Sequence, residues 1–302
     1  MKIVCIGGGH GLSQVLTALR PLNNDISAII ATTDNGGSTG KLRQAKNCIA
    51  YGDIRRCILA LANSNNLLTL IAQQRFENAG ELSSHSLGNL ILLALSQVTQ
   101  KPSEAIYWLC QLLDVQQTIL PMSDQVTDLS ATLIDGSKIV GECEIDALTE
   151  LPQALGLTNP VQAPQQAIND ILSADYVFIG PGSLLTSVLP VLLVENIQTA
   201  LKNTMATRIF ITNKTTENSV ASLIRNQANE LWATKILGFK FYDLILGQDA
   251  IFALDDRNLP LCEINQNDTL HDVTQLKHVL SQFICTKNQC KSTYKTNTNI
   301  IH

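Results

Sequence analysis

Apolar positions along the chain fall into two rhythms that take turns. A short β-rich run at residues 3–6 gives way to four glycines in five positions around His10. Leu12, Val15, Leu16 and Leu19 then recur at helical spacing. "DISAIIATTD" is a second buried strand ending in Thr32, Thr33 and Asp34, and the glycine-rich "NGGSTGKLR" after it predicts a loop or flap. Helical patterns follow with Ile54, Cys57, Ile58 and Leu61, and again with Leu87, Leu90, Ile91 and Leu95. "ADYVFIGPGSLLTSV" repeats the opening design: a strand at 176–179, the turn Gly180-Pro181-Gly182-Ser183, then a helix near Thr186 and Ser187. "TRIFITN" ends a further sheet strand on the polar Asn213, and "FYDLILGQDAI" holds one more, with Asp249 at a cleft or in a loop. Strands alternating with helices predict an α/β fold.

One stretch breaks the alternation. Between residues 115 and 150 the apolar positions have period two on both sides of Asp135-Gly136. Leu129, Ala131 and Leu133 lie on one arm, and Ile139, Cys143 and Ile145 on the other. This is a β-hairpin with a DG turn, and no chemistry is evident in it. Helical spacing resumes over 164–173, and the polar, aperiodic segment 286–302 is expected to be a disordered tail. No linker or repeat divides the rest, so residues 1–285 are expected to form one domain.

Composition narrows the function classes. The 302 residues are 45% hydrophobic and 16% charged, with a mean hydropathy of +0.12. No uninterrupted apolar run reaches the roughly 18 residues of a membrane span. The chain enters a strand directly after Met1, which leaves no room for a leader, so a soluble cytoplasmic protein is expected. The net charge of −5 disfavours a nucleic-acid or anionic-membrane binder. Eight cysteines without CxxC or zinc spacing read as reduced, mostly buried thiols. A small-molecule ligand is the expected partner, and a homodimer is the expected assembly.

The candidate chemistry sits at strand ends. A strand that turns into a helix through glycine exposes backbone N–H groups at the positive end of the helix dipole, so the loop at Gly8, Gly9, His10 and Gly11 is either an anion site or a tight turn. It does not match the dinucleotide fingerprint, because the third glycine would fall on Leu12 or Gln14. Asp34 would lie beside this loop if the two strands are parallel neighbours. It suits a ribose hydroxyl, a Mg²⁺ ion or a helix cap. Gly36, Gly37 and Gly40, with Ser38 and Thr39, permit close approach of a polar ligand, and Lys41 and Arg43 could supply charge to a phosphate. Asp53, Arg55 and Arg56 open a helix where two cations oppose the dipole, a conflict that an anion or salt bridges would relieve. His85, Gly88 and Asn89 lie at another helix start, His85 being either a cap or packing residue or a proton carrier. Gly182 and Ser183, with Thr186 and Ser187, offer a second set of donors.

Five ordered blocks, "IGGGHGLSQVL", "TTDNGGSTGKLR", "GDIRRC", "SHSLGNLILLAL" and "IGPGSLLTSVLP", resemble the bacterial gluconeogenesis factor family (YvcK-like, formerly UPF0052) across nearly the whole chain. That family is related to the archaeal 2-phospho-L-lactate transferase CofD. The resemblance implies a Rossmann-like, mostly parallel sheet flanked by helices, with a small additional region. It implies binding of a nucleotide or nucleotide-sugar (a UDP-sugar or NAD), and roles in carbon metabolism, wall-precursor supply and cell shape. It places Gly8, Gly9, His10 and Gly11 in a first phosphate loop, and Asp34, Asn35, Gly37, Ser38, Asp53 and Arg55 in the cleft. His85 and Asn89 fall on a facing helix start, and Gly180, Gly182 and Ser183 in a second loop near Asn213. His10 stands where many members have Thr, and the segment after Asn213 resembles the shorter proteobacterial branch. The alternative is a Mg²⁺-dependent transferase, with Asp34 and Asp53 holding the metal, Arg55 neutralising charge and His85 handling a proton.

Overall fold

A computed structural model describes residues 1–23, 25–213, 226–246, 251–253, 273–274 and 276–281. In it β1 (Ile3–Gly7) leads into α1 (Gly9–Leu19), and β2 (Ile26–Ile30) into α2 (Gly37–Ala45). α3 (Gly52–Leu61), α4 (Leu67–Gln73), α5 (Leu87–Thr99) and α6 (Pro102–Leu112) precede β3 (Thr118–Pro121). An insertion of β4 (Leu129–Thr132), β5 (Lys138–Val140), α7 (Glu142–Asp146) and β6 (Ala154–Leu157) then intervenes. α8 (Gln165–Ser173) and β7 (Tyr176–Ile179) come next, followed by a wide helical turn at Leu184–Val188, α9 (Leu189–Leu192), α10 (Glu195–Asn203) and β8 (Thr207–Ile211). α11 (Asn226–Leu237), β9 (Leu244–Leu246) and β10 (Ile251–Ala253) follow, and the described residues of 276–281 are helical.

The main sheet has the order β10-β9-β8-β7-β1-β2-β3, all parallel except β10. Counting its parallel strands along the chain gives 3-2-1-4-5-6, the doubly wound order in which helices cover both faces. Strand side chains alternate between two cores. Ile3, Cys5, Ala28, Ile30 and Phe178 pack with α1, α3, α5 and α6. Val4, Ile6, Ile29, Val177 and Ile179 pack with α8, α9, α10 and α11. Strands buried on both faces are therefore continuous apolar runs, which explains why they were recognisable without alternation. Among the described residues no single helix is long and apolar enough to cross a membrane.

Two sequence expectations change. The "NGGSTGKLR" segment is helix α2, with Ser38, Thr39 and Gly40 buried, and not an open flap. The predicted hairpin is two strands of a three-stranded antiparallel sheet, β5-β4-β6, which extends to Leu157, and Cys143 and Ile145 belong to α7 instead of a strand. β3, inside the same stretch, joins the main sheet. Asp249, the segment 214–224 and the tail 286–302 lie outside the described residues.

Candidate functional site

All parallel strands point their carboxyl ends to one edge, where the β1, β2, β7 and β8 loops meet. The order of strand addition reverses between the parallel neighbours β1 and β7, the usual crevice for a ligand. Here the two glycine loops pack against each other across it. A Cβ on Gly11 would lie 2.7 Å from the Pro181 carbonyl oxygen, and one on Gly182 would lie 3.3 Å from that of Gly8. The backbone donors are also engaged. Asp53 Oδ2 accepts from Gly9 N–H at 2.5 Å, and Asn213 Oδ1 accepts from Gly182 N–H at 2.9 Å while its amide returns a bond to the Gly182 carbonyl. Ser183 Oγ caps the following helical turn at Thr186 N–H. His10 is exposed in the first turn of α1, where partial burial and then Arg56 lower its pKa.

The polar space lies beside this closure, toward α2, α3 and α5. The N-cap residues of α1, α2 and α3 make no side-chain cap, and of the first N–H groups of α1 that of Gly9 is taken by Asp53. Asp34 bonds Gly36 N–H at 2.8 Å, and its other oxygen lies 3.4 Å from where a Gly52 Cβ would sit, at the start of α3. Ser38 Oγ and His85 Nδ1 are 3.0 Å apart and both side chains are buried. Ser86, next to His85, caps α5 at Asn89 N–H. Gly88 has no side chain because a Cβ there would lie 2.7 Å from the Ala72 carbonyl and 2.9 Å from Arg55 Cδ. That close approach is the reason a glycine sits in the first turn of α5, where it costs about 1 kcal/mol relative to alanine.

Arg55 and Arg56 have opposite fates. Arg56 pairs with Asp53 at 2.6 Å. Arg55 is 7% exposed, enters no ion pair among the described residues, and its buried Nε lacks a hydrogen-bond partner. Burial, then Arg75 and Arg56, lower its pKa to about 10, so the guanidinium is still charged at neutral pH. Asn89, 2% exposed, has a buried Oδ1 without a partner. Arg43, expected to serve a phosphate, is instead spent on Asp128 at 2.7 Å and on the carbonyls of Thr33, Asp34, Cys48 and Thr127. It staples the insertion to the β2 loop, beside a polar groove of about 360 Å³ lined by Asn35, Gln44 and Glu144 among others.

The insertion supplies residues that sequence reasoning missed. Glu142 and Asp146 stand close enough to Asp34 for mutual repulsion, and Glu142 also feels Asp53. Burial first, then Asp34, Asp53 and Asp146, push Glu142 up to about 9, so it carries a proton at neutral pH. Burial and Asp34 raise Asp146, whose Oδ1 is buried without a partner while Oδ2 accepts from Thr186 Oγ1 at 3.3 Å. Burial likewise raises Asp53, against the pull of Arg56. The signal available in "GECEID" was a pair of acids four residues apart after a glycine, which share a face only if the segment is helical. Among the described residues no three His, Cys, Asp or Glu side chains form a ready metal-ligand group.

The chain resembles known proteins over most of its length. The family model for the 2-phospho-L-lactate transferase CofD matches residues 3–280. A Vibrio cholerae protein named "Putative gluconeogenesis factor" is 36% identical, covering 93% of this chain and 96% of that one. A "Gluconeogenesis factor" of Halalkalibacterium halodurans is 37% identical over 72% of this chain and 68% of its own. A crystal structure of a UPF0052 member from Bacillus halodurans superposes with a TM-score of 0.74 at 32% identity, covering 82% of this chain and 80% of that one.

Proposed function

Because the chain belongs to the 2-phospho-L-lactate transferase CofD family, and its relatives bear the name gluconeogenesis factor, we propose that it is a gluconeogenesis factor that binds a nucleotide or nucleotide-sugar, either a UDP-sugar or NAD. One observation carries the ligand class. Arg55 is a buried cation that enters no ion pair among the described residues, although Asp53 attracts it from nearby, and Asn89 Oδ1, one residue past the Gly88 that abuts it, has no hydrogen-bond partner among them. Leaving a charge so placed costs several kcal/mol, which a ligand phosphate would offset. The amino termini of α2 and α3 supply further donors to the same anion. Asn89 would accept from a sugar or base, with Ser38 and His85 beside it. In this reading the protein acts in the cytoplasm on carbon metabolism, wall-precursor supply and cell shape, as a binding factor without turnover.

A specific feature favours the transferase alternative. Four carboxyls, Asp34, Asp53, Glu142 and Asp146, gather at the cleft, where the charges of the aspartates help keep Glu142 protonated. Their hard oxygen donors suit Mg²⁺, which binds readily through one or two carboxylates plus substrate phosphates, so a complete protein cage is not required. Asp34 and Asp53 would hold the ion, which would neutralise phosphate charge. Arg55 would bind the phosphate, and His85, held at Nδ1 by Ser38, would handle a proton.

Thermal unfolding against UDP-N-acetylglucosamine, UDP-glucose, NAD and GTP, with and without Mg²⁺, separates these readings. A ligand at about 100 times its Kd stabilises the native state by about 2.7 kcal/mol. A shift with UDP-sugars or NAD that ignores Mg²⁺ supports the binding factor. A shift needing both GTP and Mg²⁺ supports the transferase, and no shift with any of them refutes the ligand class.

A further inference from the structure

Asn35 is the side chain through which the β2 loop grips the inserted helix. Its Oδ1 accepts from Cys143 N–H at 2.9 Å, and its Nδ2 donates to Glu144 Oε2 at 2.8 Å. That bond lowers the pKa of Glu144, which keeps it an acceptor. Each segment's glycine backbone meets a side chain of the other at this point: a Cβ on Gly36 would lie 3.2 Å from Cys143 Sγ, and one on Gly141 would lie 2.5 Å from Asn35 Nδ2. At the far end of α7, Thr186 holds Asp146. A helix of five residues has no stability of its own, so its orientation is set by its anchors.

We infer that Asn35 is a positioning residue. By holding α7 over the carboxyl edge of the sheet, it sets Glu142 and Asp146 against Asp34 and Asp53. Its carbonyl accepts from Cys143 N–H and one amide hydrogen is spent on Glu144, so it contributes to binding through the cover whether or not its remaining N–H meets a ligand. The consequence for affinity rests on reading this cleft as the nucleotide site, whereas the consequence for α7 itself does not.

Hydrogen exchange on the ligand-free, full-length protein tests the anchor directly. Asn35→Asp keeps the acceptor for Cys143 N–H but sets a carboxylate against Glu144. Adding Glu144→Gln restores a donor–acceptor pair with its direction reversed. Exchange at 142–146 should rise about 10-fold or more in Asn35→Asp and return near the wild-type rate in the double variant, with α1 and α3 unchanged. Titration with UDP-N-acetylglucosamine should show affinity falling about 10-fold and recovering in step. Unchanged exchange, failure of the second substitution to rescue, or loosened exchange with unaltered affinity would each overturn the inference. If the wild-type protein binds neither this probe nor NAD, the nucleotide reading falls, and the exchange pattern alone decides whether Asn35 anchors α7.

Discussion

Glu142→Gln should stabilise the protein at neutral pH, by an amount that depends on pH in a defined way. In the folded chain the Glu142 carboxyl is pushed from its ordinary 4.5 up to about 9 by burial and by Asp34, Asp53 and Asp146. Folding therefore takes up a proton at this position. Its contribution to stability is fully present below pH 4.5 and is lost as the pH rises toward 9. At pH 7, about 2.5 pH units above 4.5, the loss has a ceiling of about 3 kcal/mol at 1.36 kcal/mol per unit, and relaxation around the group brings the expected value to about 1–3 kcal/mol. Glutamine has the shape of the neutral acid and can keep the hydrogen bond that Glu142 shares with the Thr186 hydroxyl, so the substitution removes the proton linkage while keeping the packing. Urea unfolding of both proteins from pH 4.5 to 9 gives the comparison. The gap should be near zero at pH 4.5 and widen steadily with pH. A gap independent of pH, or a variant less stable than wild type at pH 7, would refute the placement of Glu142 among three carboxyls.

Three further substitutions probe the rest of the cleft. Arg55→Met should leave the ligand-free protein as stable as wild type, or more so, since it removes a buried charge that enters no ion pair among the described residues. It should weaken the proposed nucleotide binding by at least about 10-fold, read by calorimetry. Gly11→Ala should cost about 1–3 kcal/mol in denaturant unfolding, because its Cβ would meet the Pro181 carbonyl and drive the two loops apart. Ser86→Ala should cost about 1 kcal/mol, through loss of the α5 cap at Asn89 N–H, with the shift read as a change in urea midpoint.

The strands and the helices after the glycine turns were legible because each is a local pattern. Residues 3–6, 26–30 and 176–179 are β-rich runs with no polar break long enough to suggest anything else. α2 was hidden because glycine at its cap, its first position and its interior reads as a loop. Gly40 is in fact required where the helix backs onto the Asn35 carbonyl, a contact formed only in the folded chain. The carboxyls of α7 were hidden for a related reason. Cys143 and Ile145 continue an alternating pattern, and Gly141, the local sign that the strand stops at Val140, fits a bulge within a strand equally well. Family resemblance brought Asp34, Asp53, Arg55, His85 and Asn89 together on paper, but it could not tell which arginine is paired and which is left over. That distinction depends on Asp53 choosing Arg56 and Gly9, a three-body geometry with no signature in the order of residues.

The central position of β1 has a cost in time. One of its neighbours, β2, begins only 19 residues after β1 ends, but the other, β7, begins at Tyr176, and the whole insertion is made in between. At a synthesis rate of about 5–20 residues per second, one edge of the most buried strand waits roughly 10–30 s for its partner. During that interval the nascent chain presents an apolar, unpaired strand of the kind that seeds aggregation. The sheet can therefore close at its middle only late, after its β1-β2-β3 half has been made, and a ribosome-bound chain that stops short of Tyr176 should be held by chaperones, not folded.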